Sequence, residues 1–449
     1  FFNAHMFNQP LNDWNLTSEN LSDTLVAVFR DAHAFNQPLD QWDMSGVKSL
    51  HLMFDGASAF NQDIGSWDVS SVTDMRSMFS NSGLSPYNYG ATLIGWASQE
   101  VQPNITLDAP GLQYTQEAID SRQSLISTYG WTINDAGLVP YIDINSWEDL
   151  HNIRNDLTAA YRLTQHLTRN DTGYDLYADT SANGGLGWLP IGDSIAVFEG
   201  LIDGQEYTIQ HLGIRSQSNH TGFVSVLDQR GTIQNLGLLD HDIKNSDVAT
   251  GALVGKNLGR IEESFAIGKV DGNDQVGGLV GHNGISGIIN ESYSGGQASG
   301  TYYVGGLVGR NRGRLTNSYS HANVSGLNQL GGLVGAYVGD VSNNVNLQYS
   351  FSTGKVESSI IGATDVGGLV GWTDLPSAKS GDIGLYWDIE SSGQSSSGYF
   401  VETGLTRAQM VGSAAITNMS NLDFTNIYNK VIVGDIRAGI AAWEDGYPY

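Results

Sequence analysis

Cysteine is absent from these 449 residues. Its absence excludes a disulfide framework, a thiolate metal site and a thiol nucleophile, so rigidity must come from another source. Basic residues are scarce: Lys and Arg total 21 against 47 Asp and Glu, a formal net charge of -26. Phosphate binding draws on Lys and Arg, so this balance argues against nucleic acid as a partner and against docking on an anionic membrane. Long apolar runs are missing too. None reaches the roughly 18 residues of a membrane-spanning helix, so no membrane span is encoded.

Glycine, at 56, is abundant, while proline is only 9 and charged residues only 15%. A turn-rich, polar but little-charged chain predicts a mainly β protein with many corners. The apolar share, 40%, is enough for buried cores and excludes global disorder. The length suits two or three domains. The opening stretch FFNAHMFNQP has neither a basic start nor an apolar leader core and begins inside a repeat unit. The chain therefore reads as a mature or partial stretch of a longer one.

Two internal repeats organise the sequence. MFNQPLNDWN from Met6, AFNQPLDQWD from Ala34 and AFNQDIGSWD from Ala59 are one unit, placing Trp14, Trp42 and Trp67 at steps of 28 and 25 residues. Between them Val28-Phe29, Met53-Phe54 and Met78-Phe79 recur every 25 residues. A fixed period with fixed apolar positions predicts stacked coils, each burying its face against its neighbours. The Asn-Gln and Trp-Asp pairs mark corners, where side chains satisfy turn backbone groups. Beyond the array, Thr115 is positioned to cap a helix over residues 116–128. Ala118, Leu125, Ile126 and Tyr129 share one face of it, and Gly130 stops it.

The second repeat carries TGALVG at Thr250, VGGLVG at Val276, VGGLVG at Val304, LGGLVG at Leu330 and VGGLVG at Val366. The steps are 26, 28, 26 and 36 residues. Each copy but the last leads to a Ser-aromatic pair: Ser264-Phe265, Ser292-Tyr293, Ser318-Tyr319 and Ser350-Phe351. Asn257, Asn283 and Asn311 fall in one column and predict a stacked amide ladder. A glycine repeated at one place in every coil implies positive φ or coil-to-coil contact. Leu279 and Val280 are adjacent, and a plain strand sends neighbours to opposite faces. A Gly-Gly corner turns Val276 and Leu279 both inward and leaves the direction of Val280 open.

The first repeat, F-N-Q-x-[IL]-x-x-W-[DN]-x-S-x-V-x-x-M-x-x-M-F, resembles the BspA-type leucine-rich repeats of bacterial surface proteins. The stretches YGATLIGWASQ and YTQEAIDSRQSLISTYGWTINDAG resemble the segment that closes such arrays. The resemblance covers residues 2–139. The second repeat resembles the GLUG repeat of bacterial secreted and surface proteins over residues 141–449, supported by WLPIGDSIAVFEGLIDGQEYTIQHLGI upstream and LYWDIESSGQSSSG downstream. Together they imply a mainly β fold of two tandem solenoids: leucine-rich repeats over 1–84, a helical capping segment over 85–139 and a GLUG β-helix over 140–449.

Chemical motifs are sparse. GALVGKN is one residue short of a phosphate-binding loop and has Asn257 where Ser or Thr is required. Some GLUG proteins are zinc peptidases, but none of the ten His sits in H-E-x-x-H. There is no G-x-S-x-G nucleophile elbow. β-Helices also host lyases using clustered carboxylates, for which Asp203, Asp271, Asp274 and Asp388 are candidates, with turn and cap roles as the bland reading. RNDTGYDLYADTSANGG offers Asp171, Asp175 and Asp179 as Ca²⁺ ligands or as solvated loop carboxylates. No other cofactor is expected. The residue after each GLUG motif varies (Lys256, His282, Arg310, Ala336, Trp372), so this column is expected to face outward. Lys256, Arg260, Arg310, Arg312 and Arg314 then make a basic stripe for an anionic glycan or acidic partner, or a solvated face. Tyr302, Tyr303 and Trp372 are candidate sugar-stacking rings.

The double resemblance implies a non-enzymatic, extracellular or cell-surface bacterial protein, an adhesin or surface-filament component. Its partners would be a host or neighbouring cell-surface protein or glycan, or further copies of itself. The alternative is a glycan-binding or polysaccharide-active β-helix protein.

Overall fold

The structure is a computed structural model that describes residues 1–12, 14, 24–339, 347–379 and 381–424. The last part of the expected GLUG region, 425–449, lies outside them. The fold is mainly β, with parallel strands, and the chain divides into two compact units, Phe1–Pro140 and Tyr141–Tyr449.

In the first unit the 25-residue period becomes a ladder of coils. Parallel bridges join Thr24 to Ser49 and Ser49 to Asp74. Backbone bonds run from Phe29 N to Met53 O at 2.9 Å and from Phe54 N to Met78 O at 2.9 Å. Equivalent rings therefore stack: Phe1, Phe29, Phe54 and Phe79 lie at successive centroid distances of 5.4, 5.5 and 6.1 Å. Phe29, Phe54 and Phe79 are fully buried, and such a column joins burial to offset ring packing.

Trp42 and Trp67 share one buried environment, while Trp14 in the first coil is 50% exposed. Each packs against the Phe of its own coil: Trp14 on Phe1 at 5.7 Å, Trp42 on Phe29 at 5.8 Å and Trp67 on Phe54 at 6.2 Å. Trp42 Nε1 donates to Leu11 O at 3.0 Å and Trp67 Nε1 to Leu39 O at 2.8 Å, so each indole bonds back to the preceding coil. At the corners, Asn8 Oδ1 accepts from Asn36 N, and Asn36 Oδ1 from Asn61 N. Leu39 O keeps a bond from Trp42 N even without the indole. Trp67→Phe should therefore cost about 1–2 kcal/mol, one hydrogen bond plus slight repacking. Chemical denaturation of the whole chain checks this.

The array closes on helices. Ser85 caps Pro86–Ala97, accepting from Asn88 N, with Pro86 in the first turn where its missing N–H costs nothing. Trp96 on this helix continues the indole column, donating to Ile64 O at 3.2 Å and packing on Phe79 at 6.2 Å. The second helix departs from the sequence expectation at its start. Residues Gln116–Ala118 form a 3₁₀ turn, the α-helix runs Ile119–Tyr129, and the Thr115 hydroxyl makes no cap bond. Gly130 ends it at φ 69°, as expected.

In the second unit each GLUG coil lays down short strands that pair in parallel with the same strands of the next coil. Asp274–Gly277 pairs with Tyr302–Gly305, Val280–Asn283 with Val308–Asn311, and Ile288–Asn290 with Arg314–Thr316. Val276, Leu279 and Val280 are all fully buried. The bend between the two strands, at Gly278-Leu279, breaks the alternation, and this settles the direction of Val280. The Ser column is buried as well, each backbone N–H donating to the next hydroxyl: Ser264 N to Ser292 Oγ and Ser292 N to Ser318 Oγ, both 3.2 Å.

The repeated glycines do not have positive φ; they are sites of coil-to-coil contact. A Cβ on Gly278 would lie 2.1 Å from Gly306 O, and one on Gly306 would lie 2.1 Å from Gly332 O. Left-handed backbone falls instead on varied residues: Ala249, Gln275, Tyr303 and Gln329 in one column, and Glu263, Glu291, Asn317 and Tyr349 in another. Such a conformation is strained for bulky side chains and persists because the paired strands around it fix it.

Candidate functional site

The predicted amide ladder is present at the corner after each Val280-type strand. Asn257 Nδ2 donates to Asn283 Oδ1 and Asn283 Nδ2 to Asn311 Oδ1, both at 2.8 Å, and all three residues are fully buried. Asn257 Oδ1 also accepts from Gly259 N at 3.0 Å, which fixes the turn. The cations are arranged around this buried spine.

The structure divides the expected basic stripe between two columns. Register places Val226, Lys256, His282, Arg310, Ala336 and Trp372 in one line before the corner. Thr232, Arg260, Ile288 and Arg314 form a second line after it, with Arg312 in the turn between. The chain turns between position 257 and position 260, so residues close in sequence belong to different faces. The first column is not uniformly outward either: Val226 and Ala336 are buried, and Lys256, His282, Arg310 and Trp372 are half-buried. Arg260 pairs with Glu262 on its own strand, whereas Arg314 is exposed. Lys256, Arg310, Arg312 and Arg314 make no ion pair among the described residues.

His282 lies between Lys256 and Arg310. Burial, reinforced by Arg310, Lys256 and Arg312, pushes its imidazole down to about 3, so it stays neutral. Trp372 ends the column and meets the Tyr303 ring at 6.2 Å, tilted by 53°. Tyr302 is 46% exposed. The other outward aromatic column is not available: Tyr293, Tyr319, Phe351 and Tyr386 cluster with Met410 and Ala415 of the C-terminal helices and with Met419 and Leu422 just after them.

Asp171, Asp175 and Asp179 are not gathered. Asp171 accepts from Thr168 N at 2.7 Å, Asp179 from Ser181 N at 2.8 Å, and Asp175 is exposed. Among the described residues no group of three acidic or imidazole side chains is arranged to hold a metal ion. Asp203 is fully buried and accepts from Gln205 N at 2.9 Å and Gln234 Nε2 at 3.2 Å. Asp388 is fully buried and caps Ile389–Ser392. Asp271 accepts from Ser299 at the surface, and Asp274 faces Arg310.

One group escaped the sequence reading. The Glu402 carboxyl is enclosed, and burial pushes it up to about 8. The folded state therefore holds this proton more tightly than the unfolded chain. Its contribution to stability is complete below the ordinary Glu value and is lost as pH rises through about 8. Buried His241 and His321, pushed down to about 4 and about 3, act only on the acid side. Between roughly pH 6.5 and 9 the denaturation midpoint should fall, and Glu402→Gln should flatten that fall.

Among the described residues no helix is long and apolar enough to cross a membrane. Residues 1–91 match the family described as "Mycoplasma protein of unknown function, DUF285", and residues 300–325 match "The GLUG motif". Halomucin of Haloquadratum walsbyi is 37% identical over 148 residues, covering 32% of this chain and 2% of its own length. A protein of Evansella cellulosilytica, a Gly-rich membrane protein by its description, is 33% identical over 178 residues, covering 32% of this chain and 20% of its own. The chain thus spans a minor part of either relative. No solved structure matches.

Proposed function

We propose that the chain is part of a non-enzymatic extracellular or cell-surface repeat protein, an adhesin or surface-filament component that presents solenoid surfaces for binding. On this reading residues 1–84 are a leucine-rich-repeat-like array, 85–139 its cap and 140–449 a closed β-helix. The observation that carries it is how the polar side chains are used. Asp203, Asp388 and the Asn257–Asn283–Asn311 ladder are bound into turns, caps and spines, so these polar groups serve the fold rather than being presented for chemistry. The descriptions of the relatives, a halomucin and a Gly-rich membrane protein, support a surface location.

Protease treatment of intact source cells should release peptides of this chain before any cytoplasmic marker. Protection until lysis would overturn the location. Purified chain should turn over neither peptide, pectin nor alginate. Turnover abolished by Asp203→Asn, Asp271→Asn or Asp388→Asn would overturn the non-enzymatic reading. A glycan-binding role is favoured by one specific observation, the half-buried Tyr303–Trp372 pair near unpaired Arg310.

A further inference from the structure

We propose that the column Lys256–His282–Arg310–Ala336–Trp372, flanked by Gln275 and Tyr303, is a binding track for a linear acidic polysaccharide laid along the coil stack. The proposal rests on the proposed function only in treating these coils as a surface for binding.

Charge comes first. On a chain of net charge -26, two cations of this column stand without an ion pair among the described residues. Asp274 faces Arg310 without forming an ion pair with it, and Asp247 faces the neighbouring His220. Adjacent parallel strands are about 4.8 Å apart, which puts Lys256 and Arg310, two coils apart, roughly 10 Å from each other along the stack. A ligand with acid groups at intervals, running parallel to the stack, meets both.

Ring faces come second. Beyond Arg310 the column has Ala336, which is fully buried, and then Trp372. Tyr303, held left-handed at φ 52°, has its ring beside Trp372. Two half-buried aromatic rings offer an apolar wall with polar rims.

Beside Arg310, the backbone of Gln275 packs against Gly309 and closes that side of the column. Cation and apolar wall together call for a ligand with an acid group and a ring face, which is a uronic or sulfated pyranose. An acidic peptide lacks the regular ring, and the net charge of -26 disfavours a densely charged nucleic acid.

Binding of alginate oligomers to the whole chain, followed by calorimetry, tests this. The chain should bind them, weakening as salt rises from about 0.05 to 0.5 M, and should bind neutral dextran and polyglutamate at least tenfold more weakly. Arg310→Ala and Lys256→Ala should each weaken alginate binding about fivefold, and Trp372→Ala about tenfold. Circular dichroism reports folding of each variant. If Trp372→Ala unfolds, Tyr303→Ala takes its place, with the same expected loss. No alginate binding, equal binding of polyglutamate or single-stranded DNA, or indifference to both aromatic variants would overturn the proposal. Any of these leaves the surface location untouched, because protease accessibility on cells measures that separately.

Discussion

Gly306→Val should destabilise the second unit by more than about 4 kcal/mol, at the exceptional end for single substitutions. A Cβ there would lie 2.1 Å from Gly332 O and 2.2 Å from Ser320 Oγ. The first of these is backbone of the next coil. It cannot swing aside, because Gly332 carries the same contact forward to Gly368 O at 2.2 Å. Relief therefore requires the coils to separate, breaking parallel pairs on both sides of the bend. Leu307→Ala, one residue on, removes a fully buried side chain and should cost about 2–5 kcal/mol. Arg310→Ala should stay within about 0.5 kcal/mol. Denaturant midpoints rank the three. Equal midpoints for Gly306→Val and Arg310→Ala would mean that the glycine column does not hold the coils together.

Asn283→Ala is expected to cost about 2–6 kcal/mol, because it strands two buried groups at once. Asn283 accepts from Asn257 Nδ2 and donates to Asn311 Oδ1. Each orphaned partner costs about 1–3 kcal/mol in a place water does not reach. Asn283→Asp keeps the acceptor, loses the donor and buries a charge between two amides, so it should be no milder. Asn311→Ala, at the end of the ladder, breaks one bond of the pair and should cost about half as much. If Asn283→Ala and Asn311→Ala give the same midpoint, the amides are not acting as a continuous column.

The ladder was legible in the sequence because three identical polar residues at coil spacing have few other uses in a core. The glycines were legible as a constraint but not as its kind, since contact and positive φ select the same residue. Left-handed backbone was invisible for the opposite reason. Ala249, Gln275, Tyr303 and Gln329 share no side-chain property, and their conformation is imposed by paired strands rather than chosen locally. Trp96 was missed as the next indole because it sits on a helix instead of a coil. The basic stripe was misread as one surface. The turn between Asn257 and Arg260 is short, and spacing alone does not say which side of a corner a residue occupies. Glu402 gave no signal, because its burial depends on contacts distant in sequence.

The last GLUG step is 36 residues where the one before it is 26, yet Leu330 still pairs with Val366 and Gly331 with Gly367. Gly326 pairs with Ser358 and Leu330 with Val366, so four of the additional residues fall between Ser358 and Val366 with the register intact on both sides, and Ile361 among them is 104% exposed. Growth at this place does not propagate into the neighbouring coils. A gene for such a chain can acquire new sequence here in frame and keep its lattice, so a foreign epitope spliced beside Gly362 would be displayed by a scaffold that had not changed.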